Sequence, residues 1–282
     1  TNHQYMLFFT QKGKCFWMRV FEIPEGSKNS KGRAIQNLIN IEQDDRVKAF
    51  ICTQDLKDEE YVNNHYVIMA TKMGQVKKTS LEQYSRPRSN GINAITVKDG
   101  DELLEAKLTN GNSQIMLAVK SGKAIRFEEG KTRPMGRNAS GVRGIKLKDK
   151  KDEVVGMISV NDMDANILVV SENGFGKRSS LEDYRLTNRG GKGVKTISIT
   201  EKTGKLVTLK SVSDSDDLMI INKSGIAIRM QVEDLRVMGR ATQGVKVISL
   251  KDGDSIAAVA KVMKDDDDIE DINDIEFTGD AV

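Results

Sequence analysis

Positive charge recurs beside glycine in this chain at intervals too regular for a surface that is merely soluble. Gly13, Gly74, Gly122, Gly174 and Gly225 each close a turn between an apolar and a more basic run, and each is followed by a second glycine: Gly32, Gly91, Gly141, Gly193 and Gly244. The interval is 19 residues in four cases and 17 for Gly74 to Gly91. Four places before the second glycine stand Lys28, Pro87, Arg137, Arg189 and Arg240, with Arg86 and Arg88 flanking the proline. Two places after it stand Ala34, Asn93, Arg143, Lys195 and Lys246, with Arg33 beside the alanine. Lys31, Arg133 and the run Arg189-Gly190-Gly191-Lys192 add charge to the same segments. The return strand repeats the theme four places after the first glycine, with Trp17, Lys78, Arg126, Arg178 and Arg229, and Lys77 and Lys177 precede two of these.

The chemistry such a pattern suits is a phosphate backbone. Duplex DNA carries one negative charge per about 1.7 Å of axis, and neutralising it releases condensed counterions. Glycine lets peptide N–H groups approach phosphate with no Cβ in the way. Contacts of this kind carry no sequence information, and nothing resembling a recognition helix is present to read the major groove. A curved basic rim must also bend the duplex, at a cost on the order of 1–6 kcal/mol for a 20–30 bp site. Many distributed contacts are then needed, which repeated units supply. The alternative is a protein-binding propeller whose rim charges only keep it soluble.

Elements that would hold these residues repeat with them. Each cassette reads as four strands in about fifty residues: an apolar run such as 166–171, a glycine turn, a return strand over 175–181, a third strand over 193–199 and a fourth over 206–212. Asn-Gly and Asp-Gly turns join them, Lys98-Asp-Gly-Asp101 and Lys251-Asp-Gly-Asp254 between third and fourth strands. Ser80-Leu-Glu-Gln-Tyr84 and Ser180-Leu-Glu-Asp-Tyr184 suggest single helical turns, with the tyrosines as packing residues. Repeats of this length predict an all-β propeller of four-stranded antiparallel blades, at about 5–53, 66–109, 114–160, 166–212 and 217–262, within one domain over 1–263. Residues 54–64, 109–113, 161–165 and 213–216 read as linkers.

Composition narrows the function classes. The formal net charge of +3 conceals a basic body and an acidic end: the residues after Lys264 hold nine acids and no base, and 264–282 is expected to be disordered. That tail is a candidate competitor for the basic rim or a solubility element. Two histidines, far apart, offer no metal signature, and the two cysteines, Cys15 and Cys52, read as reduced core residues. Asp162-Met-Asp-Ala-Asn166 begins like a calcium loop but has Ile167 where the turn glycine belongs. No phosphate-binding nucleotide loop and no apolar run of membrane-spanning length occurs, so neither catalytic nor metal residues are assigned.

Several strings resemble the C-terminal β-pinwheel of the bacterial DNA gyrase A protein and its relative in topoisomerase IV. They are Tyr5-Met-Leu-Phe-Phe-Thr-Gln-Lys-Gly-Lys14, Val20-Phe-Glu-Ile-Pro24 and the repeated Gly-Val-Arg/Lys followed by Ile. The likeness runs from about residue 3 to 263. It implies a six-bladed disc, here lacking its first blade, whose basic perimeter wraps DNA and presents it for strand passage and negative supercoiling. It also implies no activity in this chain alone. ATP and Mg would be bound elsewhere in a heterotetramer formed with the remainder of the gyrase A protein and with the gyrase B protein, in the bacterial cytoplasm at the nucleoid. The family's Q-R-R-G-G-[RK]-G box has only a partial echo, Thr187-Asn-Arg-Gly-Gly-Lys-Gly193, so the true box is expected upstream of Thr1; blade number and the acidic tail favour gyrase over topoisomerase IV.

Overall fold

A computed structural model describes residues 4–26, 32–251 and 253–263. The first cassette supplies β1 (Tyr5–Thr10), β2 (Lys14–Arg19) and β3 (Val47–Thr53); the second β4 (Tyr66–Thr71), β5 (Gln75–Ser80), β6 (Ile92–Asn93) and β7 (Leu103–Thr109). The third supplies β8 (Gln114–Val119), β9 (Lys123–Glu128), β10 (Val142–Arg143) and β11 (Val154–Val160); the fourth β12 (Asn166–Ser171), β13 (Phe175–Ser180), β14 (Val194–Lys195) and β15 (Leu206–Val212). The fifth ends the described fold with β16 (Asp216–Asn222), β17 (Ala227–Gln231), β18 (Val245–Lys246) and β19 (Ile256–Met263). Single 3-10 turns at Leu81–Tyr84 and Leu181–Asp183 follow the second strands, and both tyrosines are buried as packing residues.

These strands form five antiparallel sheets, four of four strands and a last of three. Five blades are therefore built among the described residues, not six, and the blades are not the cassettes. Within a cassette the first strand pairs the second on one side and the fourth on the other, as β12 pairs β13 and β15. The third strand crosses to the preceding blade: β6 pairs β2, β10 pairs β5, β14 pairs β9 and β18 pairs β13. The Asp99-Gly100 turn forms, with Asp101 N–H donating to Lys98 O at 3.0 Å, yet it joins strands of two different sheets rather than a hairpin. The fifth blade is three-stranded because no further cassette donates to it among the described residues.

The glycines explain the crossing. Gly122 adopts φ +81° in the β8–β9 turn, and its carbonyl accepts from Thr196 N–H at 2.9 Å and Ile197 N–H at 3.4 Å of the next cassette. Gly13 and Gly74 receive the corresponding N–H pairs, and Gly174 that of Val247. At the other end of the crossing, a Cβ on Gly193 would lie 2.4 Å from Ala124 O, so only glycine allows the incoming strand to lie this close to β9. The outer edge of the second strand in each of the first four blades would otherwise be left with unpaired peptide groups, and the donated third strand satisfies it.

Apolar residues fill the spaces between blades. One cluster joins Ile68 and Val76 of the second blade to Ile115, Leu117, Ile125 and Phe127 of the third. Full burial of each such side chain is worth about 1.5–3 kcal/mol, so the blades depend on their neighbours as repeats of a solenoid do. Fourth strands contact one another in series (β3 with β7, β7 with β11, β11 with β15, β15 with β19), which places them toward the axis. The donated strands lie at the opposite edge of each sheet and form the perimeter.

Two further expectations change. Residues 54–64 contain a short helix, α1 (Glu59–Asn64), whose N-terminus is capped by the Asp58 carboxylate and which buries Tyr61 and Val62. Cys15 is buried, but Cys52 is exposed because β3 alternates and Cys52 falls on its outer face. The acidic segment 264–282 lies outside the described residues.

Candidate nucleic-acid interface

The return-strand column does not share the perimeter. Lys78 is buried and pairs with the fully buried Glu129 of the next cassette at 2.9 Å, its ammonium 4.0 Å from the Tyr66 ring. Arg126, half-buried, donates to Leu181 O at 2.8 Å, Tyr184 O at 3.0 Å and Gln114 Oε1 at 2.6 Å. Arg178 is buried against Leu235 O and the Asp214 carboxylate. Isolated bridges from Lys78 to Pro134, Arg126 to Leu186 and Arg178 to Val237 set the same contacts in the backbone. These side chains staple one blade to the next. Arg126 and Arg178, read from sequence as rim residues, are spent inside. Arg229, in the last blade, is exposed beside Asp217 at 2.7 Å.

The second-glycine segments behave differently. Each reaches sideways along the perimeter to the strand donated before it. Asn93 and Thr96 bond the Asn138–Ala139 segment. Gly190 N–H donates to Gly144 O at 2.6 Å and Lys146 N–H to Gly191 O at 2.8 Å. Ser198 N–H donates to Thr242 O at 3.0 Å. The segments therefore form one hydrogen-bonded belt across four blades, in which Gly190 holds φ +82°.

Among the described residues the belt's charges are left without carboxylate partners. Arg189 donates to Lys131 O at 2.9 Å and Arg143 O at 3.0 Å, and Arg240 to Lys195 O at 2.9 Å. Carbonyls fix the orientation of these guanidinium groups without neutralising them. Arg143, Lys192, Lys195 and Lys246 are exposed, Arg137 is half-buried, and none has a carboxylate within ion-pair distance among the described residues. Arg86, Arg88 and Arg137 meet at one recess with Glu82, Gln83 and Ile92. Arg33 and Arg133 are exposed and stand apart from these contacts, and Gly191 is exposed at the belt's surface. Lys28 and Lys31 lie outside the described residues.

Sequence reasoning missed a lysine group at the turn edge between the third and fourth blades. Lys120, Lys123, Lys148, Lys151, Lys195 and Lys205 line one recess there. Its two acids are engaged with backbone: Asp152 accepts from Ser121 N–H at 3.0 Å and Lys148 N–H at 3.0 Å, and Asp149 from Lys151 N–H at 2.8 Å. Lys120 pairs with Glu153, whereas the other five have no ion pair among the described residues. The corresponding edge of the first two blades is neutralised, since Lys12 and Lys14 meet Glu42 and Asp44, and Lys48 and Lys72 share Glu102. The signal was the excess of lysine in 148–151, but pairing in three dimensions decides which lysines stay free.

Among the described residues no three His, Cys, Asp or Glu side chains gather as a metal site, and Asp162 instead accepts from Asp164 N–H at 2.9 Å in a linker turn. No helix among them is long and apolar enough to cross a membrane.

Comparison with known proteins agrees with this architecture. The family model for the DNA gyrase C-terminal domain, beta-propeller, matches residues 4–54, 65–110, 114–161, 165–213 and 216–263. The DNA gyrase A protein of Staphylococcus epidermidis is 43% identical over 268 residues, which is 95% of this chain and 30% of that protein. Its Staphylococcus aureus counterpart is 42% identical over 270 residues, again 95% of this chain and 30% of that protein. The chain thus spans under a third of the length of these relatives. A crystal structure of the C-terminal domain of DNA topoisomerase IV superposes with a TM-score of 0.83 at 25% identity, covering 93% of this chain and 80% of that one. A DNA gyrase A C-terminal domain gives 0.78 at 25% identity, covering 93% and 84%. Five matched repeats in the order of the five blades leave one assignment: the chain belongs to the DNA gyrase C-terminal domain family of β-propellers.

Proposed function

We propose that this chain binds duplex DNA without sequence preference and wraps it around the belt of perimeter loops, presenting a segment for strand passage by DNA gyrase. The observation that carries the reading is the belt itself, whose Arg137, Arg143, Arg189, Lys192, Lys195, Arg240 and Lys246 lack carboxylate partners among the described residues. Lys148, Lys151 and Lys205 extend the positive surface onto one face. The relatives' identity supports gyrase over topoisomerase IV as the parent. On this reading the partners are the remainder of the gyrase A protein and the gyrase B protein. ATP and Mg belong to them, and the setting is the bacterial cytoplasm at the nucleoid. The chain alone turns over no substrate. Titration with random-sequence duplex at 50 and 200 mM salt tests the reading. Six or more phosphate contacts predict a loss of affinity of about a thousandfold or more. Affinity that barely changes would instead favour a protein-binding propeller.

A further inference from the structure

Two lysines do something the perimeter charges do not. Lys77 and Lys177 occupy the same place in the second and fourth blades, three residues after Gly74 and Gly174, and both are fully buried. Lys77 Nζ donates to Ala94 O and, at 2.8 Å, to Arg137 O. Lys177 Nζ donates to Gly239 O at 2.6 Å. Neither ammonium has an ion-pair partner among the described residues. Arg137 and Gly239 belong to the belt, and Arg240 follows the latter directly.

The fold does not demand lysine here. Phe16 and Ile125, both buried, stand at the same position in the first and third blades, and an apolar side chain there avoids the cost of burying an unpaired charge. What the lysine adds is an inward pull on loop carbonyls, which would repel an approaching phosphate if they faced outward, and a charge beneath the surface.

We propose that Lys77 and Lys177 are positioning residues for the DNA track: each holds a perimeter loop from below and keeps a positive charge that bound phosphate, rather than a carboxylate, compensates, so that DNA binding takes up protons. The inference rests on the perimeter being a DNA track. Burial, with the Arg137 guanidinium adding, lowers Lys77 to about 7. Burial lowers Lys177 to about 8, Arg240 adding and Asp183 opposing. The Tyr84 phenol on the Ala94 carbonyl, the nearby Cys15 thiol and the Tyr184 phenol are all pushed up by burial and stay neutral. In the free chain both amines are therefore partly deprotonated near neutrality, and phosphate raises their proton affinity. A neutral amine still donates N–H, so the loops stay in place while the charge titrates.

Calorimetric titration of the 282-residue chain with random-sequence duplex, at fixed salt and pH 7.5 in buffers of different ionisation enthalpy, reads the proton count. The expected result is a net uptake of about 0.5–1 proton and an affinity that falls by about three- to thirtyfold between pH 6.5 and 9. Lys77→Met and Lys177→Met each keep the stem, and each should weaken binding and remove part of the uptake. Heats identical in every buffer overturn the inference even if neither variant folds, because the unmodified chain gives that answer. Variants that bind like the parent, or bind more weakly with the uptake intact, overturn it too. Absence of any DNA binding would withdraw the perimeter reading and this inference together, whereas binding without proton exchange removes only this one.

Discussion

Replacing Gly193 by alanine tests the account of how blades interlock. Gly193 has φ +69°, and a Cβ built on it would stand 2.4 Å from Ala124 O and 2.7 Å from Ala124 C. Both are backbone atoms of β9 and cannot swing aside. Gly225 has a similar φ of +87° with nothing within 4 Å of its Cβ position. The two substitutions share a backbone penalty of about 1–3 kcal/mol for an L-residue in the left-handed region. Only Gly193→Ala adds a clash, relieved by lifting β14 off β9 with its pairs Val194–Ala124 and Lys195–Lys123. We expect Gly193→Ala to cost about 3–5 kcal/mol in total, at the upper end for single substitutions, and Gly225→Ala about 1–3. Because repeat proteins unfold in parts, amide hydrogen exchange is the better assay. The Thr196 N–H that donates to Gly122 O should lose protection in Gly193→Ala and keep it in Gly225→Ala. Equal stability of the two variants, with Thr196 protected in both, would refute the strand-donation argument.

Four other outcomes follow from the same contacts. Arg137→Ala, Arg189→Ala and Arg240→Ala should each weaken duplex binding by similar factors on any sequence and lower the salt slope by about one, measured by fluorescence anisotropy; a dominant residue would contradict a distributed track. Reversing charge at Lys148, Lys151 and Lys205 should reduce affinity more than reversing Lys12 and Lys14, which Glu42 already engages. Lys78→Met leaves the Glu129 carboxylate buried and unpaired, so thermal unfolding should show a loss of about 3–5 kcal/mol without a change in the salt slope of the folded protein. Hydrogen bonds from Lys14 and Lys12 lower Glu42 to about 2; a carboxylate held low in the folded state stabilises above its unfolded value near 4.5 and loses that contribution as pH falls toward 2, so Glu42→Gln should flatten the Tm profile in this window.

The periodicity made much of this legible. Paired glycines, apolar first strands and the tyrosines of the single helical turns correctly marked the repeat, because each follows from local backbone geometry. Ownership of the third strand was not legible. Local turn chemistry at Asp99-Gly100 suggests a hairpin, while the competing edge of the preceding blade is far away in sequence and decides the pairing. The same limit misplaced Arg126 and Arg178: alternation along a return strand shows that neighbouring side chains differ in direction, but not that the next cassette covers one side of that strand. At Arg229, where no further cassette covers the strand among the described residues, the side chain is exposed.

Donation of strands between blades has a mechanical consequence. A duplex held in a curve pushes outward like a bent rod, with an elastic energy on the order of 1–6 kcal/mol for a 20–30 bp site. If the perimeter loops were tips of self-contained hairpins, that load would peel each one from its own sheet, a hydrogen bond at a time. Here the segment from Thr187 to Lys195 is rooted in the fourth blade, bonded to β9 of the third at Thr187 and through β14, and bonded again to Gly144, just after the strand donated to the second. Tension at one loop is carried in shear by three sheets at once. If the perimeter wraps DNA as proposed, the overlap of the cassettes, like courses of shingles, would let a ring of small blades carry a stiff polymer without any single blade bearing it.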